Sequence, residues 1–183
     1  MANSIFYDLD PIEEIAVNLF HGWGYNFYRL ENQLRADDLV VRNQVCGLLG
    51  RARGAIDAAE SAYRRAFLPP PSRERPRPDP AAMANAQLLE QLAQAVGALE
   101  GQIRAQPVPE NDRMTQRYRE EAATLQTLIQ SDERLAGQCE LLRSMVQGQD
   151  SAAILAMMGD IEAGLEAIRG TLQRRDAVLM GRG

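Results

Sequence analysis

Any catalysis by this chain would have to run through one histidine, two cysteines and scattered carboxylates, so their spacing decides what chemistry is open to it. His21 is preceded at three residues by Asn18, where a di-iron bundle would need a Glu-x-x-His on each of two helices. The same histidine would be the sole base for a serine nucleophile, and no serine stands in a Gly-x-Ser-x-Gly turn. All 20 basic residues are arginine, which removes the Schiff-base lysine and the phosphate-binding P-loop lysine. GxGxxG, HExxH and EF-hand patterns are missing from the sequence. Cys46 and Cys139 fit no zinc or redox spacing and fall on apolar helical stripes, as small core residues in a reducing compartment would. Neighbouring carboxylates such as Asp37 and Asp38 point about 100° apart on a helix and cannot work as an acid/base couple. The mixed runs at Arg35–Asp38 and Arg174–Asp176 read as solvated faces with weak surface ion pairs. No catalytic residue, metal ligand or cofactor is expected.

Side-chain chemistry concentrates instead in HGWGYNFYRL, His21 to Leu30. Seven of the ten aromatics lie between Phe6 and Tyr28, too many for a single core stripe. Phe20 and Phe27, seven apart, fit the core side, and Trp23 sits close to it. Asn18, His21, Tyr25, Tyr28, Arg29 and Asn32 recur at steps of three and four and form a second face. Three uses are open to this region. It can be an aromatic plug sealing the end of a bundle, with His21 hydrogen-bonded inside. It can be a protein-docking surface, since Trp, Tyr and Arg dominate such interfaces. It can be a ligand or cofactor pocket built on His21 with Trp23, Tyr25 and Tyr28. The functional expectation is the second: an adaptor, accessory subunit or assembly factor acting through residues 18–32, with the ligand-binding bundle as the alternative.

The rest of the chain must position that region. With 45% hydrophobic and 25% charged residues, 183 residues suit one globular domain. The net charge of −5 disfavours nucleic acid and anionic membrane as partners. No apolar run approaches the roughly 18–20 residues of a membrane span. MANSIFYDLD carries acids where a signal peptide carries bases, so a cytoplasmic location is expected.

Apolar residues recur at three and four between the prolines, with no useful strand-like alternation, so the expected fold is all-α. The spacing predicts helical segments at about 11–67, 80–106, 109–147 and 151–180, joined across 68–79 by a stiff, polar, proline-rich crossover. Asp10-Pro11, Asp79-Pro80, Pro109-Glu110 and Gln149-Asp150-Ser151 are start signals, and Gly148 is a stop. Seven-residue stripes suit shallow-angle packing in a bundle of four helices, or five if the first segment is kinked at Gly22–Gly24. Unbroken, that first segment would reach roughly 85 Å at about 1.5 Å per residue. Its surplus stripe, Val41 to Ala66, would need a partner, most simply a second copy in a two-fold dimer. Gly47, Gly50 and Gly54, costly inside a helix, suggest close approach by another helix, or a hinge.

Overall fold

The computed structural model describes residues 5–23, 33–73, 77–106 and 122–179, with the side chains at 21, 33–38, 122–126 and 179 outside the description. Among the described residues a 3-10 turn, Ile5–Tyr7, is followed by six α-helices. They are α1 Leu9–Trp23, α2 Gln33–Phe67, α3 Pro80–Ala105, α4 Ala122–Val146, α5 Ser151–Ala156 and α6 Met158–Leu179. The expected all-α bundle is what forms, because the apolar faces of the helices cover one another.

The caps follow the sequence chemistry. Asp79 accepts from Ala81 N at 3.1 Å and Pro80 opens α3, where its missing N–H leaves nothing unpaired. Gly148, at φ 74°, supplies the left-handed residue that closes α4. Asp150 then accepts from Ala153 N at 2.8 Å and starts α5. The segment expected as one helix over 151–180 is interrupted at Met157, whose N–H is shared between the carbonyls of Ala153 and Ile154. That local tightening toward 3-10 geometry separates α5 from α6.

Pairing across the bundle sets the directions of the helices. α2 and α3 are antiparallel: Arg64 meets Glu90 at 2.9 Å, Asn85 donates to the Tyr63 hydroxyl at 3.1 Å, and Arg42 donates to the Gln106 carbonyl at 2.7 Å. α2 runs parallel to α4, with Cys46 near Cys139 at one level and the Ala55–Phe67 stretch beside Gly148 at another. α6 is antiparallel to α4 through Asp132–Arg175 and Gln138–Thr171. α1 is also antiparallel to α4: Phe6, ahead of it, meets Gln138 and Gly164, Ile12 sits on Gly137, and Glu13 faces Glu133 and Arg134.

Those directions correct the first expected helix. In an unbroken helix Ile12 and Cys46 would lie about 51 Å apart. Here they meet α4 two positions apart, on Gly137 and Cys139. α1 and α2 are therefore separate helices of opposite direction. Part of the stripe expected to need a second copy is covered within the chain, while its end at Ala62 and Ala66 is exposed. Val41, Val45, Leu48, Ala52 and Ala59 are buried, and α3 and α4 are the helices packed on α2.

Among the described residues no neighbouring helix makes the expected close approach at the α2 glycines. A β-carbon on Gly50 or Gly54 would meet nothing within 4 Å, and on Gly47 only the Arg51 side chain at 3.6 Å. Gly50→Ala and Gly54→Ala should therefore each raise stability by about 0.5–1 kcal/mol in urea denaturation, because helix propensity acts without a steric penalty. A loss of stability in either variant would show that the glycine is required by a contact.

Candidate functional site

The N-terminal arm is built from the 3-10 turn and α1. The helix begins at Leu9, ahead of the expected Asp10 cap, so Asp10 and Pro11 fall in its first turn. The acid faces the positive end of the helix dipole there, and proline still occupies a position whose N–H would be unpaired. Ile12, Ala16 and Phe20 recur every four residues and are fully buried. Trp23 continues that side, half-buried against the core and edge-to-face with Phe20 at 5.5 Å.

Two glycines form the seat of the arm. A β-carbon on Gly137 would overlap the carbonyl oxygen and side chain of Ile12, and one on Gly164 would overlap the Phe6 ring. Gln138 on α4 donates to the Phe6 carbonyl at 3.1 Å, and its own oxygen lies 2.9 Å from the Thr171 hydroxyl of α6. Both polar side chains are about 1% exposed, so these bonds replace water that neither could reach.

Charge also enters the core between α4 and α6. Arg175 Nε donates to Asp132 at 2.8 Å, and both residues are buried. This corrects the expectation of a solvated face at Arg175, while Arg174 beside it is exposed. Asp176 is engaged as well, accepting from Gln106 at 3.0 Å. A register signal was present: Arg175 follows Ile161 and Ile168 at steps of seven, and Asp132 precedes Cys139 by seven. Charged residues on a core stripe read as a buried pair. Around the arm, burial pushes the Glu133 carboxyl up, assisted by Glu13 on α1 and by Asp132. Burial lowers Arg134, as does Arg174 beside it, while Glu13 opposes them.

The thiols are not a reactive site. Burial raises both Cys46 and Cys139, and the Cys46 sulfur lies 3.8 Å from the Glu100 carbonyl. A thiol held protonated is a poor nucleophile and a poor metal ligand.

Of the residues expected to form a functional face, Asn18 is exposed on the outer side of α1, next to Val17 at 41% exposure. His21 occupies the last turn of α1, and its side chain lies outside the description. Trp23 turns toward the core. Tyr25, Tyr28, Arg29 and Asn32 lie outside the described residues. A cluster that the spacing did not single out, Ile5, Tyr7 and Leu9, is exposed by 52%, 54% and 42%. Single exposed apolar residues are ordinary, but three within five positions form a local apolar patch.

The raised Glu133 gives arm docking a pH dependence of definite sign. A carboxyl whose folded pKa lies above its ordinary value of about 4.3 contributes full stability below that value. The contribution is lost as pH rises through the raised value. Glu133→Gln should thus be more stable than the native chain at neutral pH, with the difference closing in acid, when urea midpoints are compared at both pH values. Equal midpoints at neutral pH would contradict it. Comparison of the chain with family models, with curated proteins and with solved structures finds no match.

Proposed function

We propose that the chain is a non-catalytic helical interaction protein, an adaptor, accessory subunit or assembly factor. Its partner surface is the face that starts at Asn18 and carries His21, Tyr25, Tyr28, Arg29 and Asn32, with Trp23 beside it. The observation that supports this reading is the one-sided burial of α1. Ile12, Ala16 and Phe20 turn inward, while Asn18 and Val17, three and four residues before His21, stay exposed. Tyrosine and arginine on that face would bury ring area while their polar tips find partners.

Self-association belongs to the same proposal. The expected two-fold dimer would form through the part of the α2 stripe left exposed, Ala62 and Ala66 beside Phe67. A protein partner in the cytoplasm fits the acidic surface better than nucleic acid or anionic lipid does. Among the described residues no helix is long and apolar enough to cross a membrane.

Tyr28→Ala or Arg29→Ala should weaken partner capture by about 2 kcal/mol or more, roughly 30-fold, with little change in melting temperature. Light scattering on the native chain should give twice 20.3 kDa. A falling melting temperature with captured partners unchanged would mean that this face is structural. A metal or chromophore on protein purified from its own host would favour the His21 ligand site instead.

A further inference from the structure

We propose that residues 5–23 form a releasable strap: they leave α4 and α6 as one unit while α2, α3, α4 and α6 stay folded. The other helices also hold one another. α2 packs on α3 and α4, α4 on α6, and α3 on α5 and α6. The arm, by contrast, packs through α1 on α4 and through its 3-10 turn on α6. Units with few neighbours open before the elements they cover.

What lies beneath the arm also favours release. Gln138 and Thr171 hold the Phe6 carbonyl from below, and water can take over their hydrogen bonds once the arm lifts. Glu13 on the arm faces both Glu133 and Arg134 on α4, so a like-charged pair stands across the contact beside an oppositely charged one. The knobs that hold the arm down, Phe6 on Gly164 and Ile12 on Gly137, depend on two β-carbons being absent. Holding and release are therefore both steric matters at two positions, separable from the rest of the core.

The chain carries one tryptophan, Trp23, at the end of the strap and in contact with Phe20. Its emission reports the strap, while helical circular dichroism reports mainly α2, α3, α4 and α6. In a urea titration of the full chain, Trp23 emission should shift at lower urea than the loss of helical signal. Gly164→Ala places a methyl group against the Phe6 ring while improving the helix propensity of α6. It should move the fluorescence midpoint down and leave the circular-dichroism midpoint in place. Hydrogen exchange on the native chain without denaturant should find the α1 amides about tenfold or more faster than those of α4. Coincident midpoints in the native chain, midpoints that move together in Gly164→Ala, or equal protection of α1 and α4 would each overturn the proposal.

Discussion

A helix enclosed on three sides needs a place where a neighbour's backbone can come in, and in α4 that place is Gly137. Five successive residues, Leu135 to Cys139, are buried, which a helix with one apolar stripe cannot achieve. α2 and α6 take two sides of α4. The third is open to α1 only because no β-carbon stands between position 137 and the Ile12 carbonyl. From that contact follow the seating of Phe6 on Gly164, the inward turn of Ile12, Ala16 and Phe20, and hence the outward turn of Asn18 and Val17. Asn18 and Val17 are exposed because the opposite side of the same helix is held.

The polar groups inside the bundle fix its alignment. Leucines and alanines at seven-residue spacing tolerate a slip of one helix along another, whereas a buried guanidinium does not. A shift of α6 against α4 would take Arg175 away from Asp132 and leave both charges buried, at a cost of about 3–5 kcal/mol. Gln138, Thr171 and the Phe6 carbonyl impose the same register from another level of the helix pair. Specificity here comes from a few polar positions set in an otherwise permissive apolar seam.

Local chemistry was readable from the residues themselves. Asp79-Pro80, Gly148 and Asp150 act within one turn of where they stand, so their caps appear as expected. Gly22 and Gly24 marked the place where α1 ends, at Trp23, but the opposite direction of α1 and α2 was not readable, because direction is decided by packing on α4, far along the chain. Glycine shows the same limit. Gly50 and Gly137 look alike in sequence, yet a β-carbon on one would meet no described residue and on the other a backbone oxygen. On the candidate face, the period of three and four placed Asn18 outward and Phe20 inward, and both positions agree. Arg175 was misread because charge was weighed above register, although its place on the Ile161–Ile168 stripe called for burial.

The most direct measurement is the stability of Gly137→Ala by urea denaturation. Alanine should gain about 1 kcal/mol over glycine from helix propensity alone. If the backbone of α1 rests on position 137, that gain is outweighed by overpacking that costs about 1–3 kcal/mol, and the variant is less stable than the native chain. A Gly137→Ala chain that is more stable, with Trp23 emission unchanged, would contradict the placement of the N-terminal arm on which the candidate surface depends.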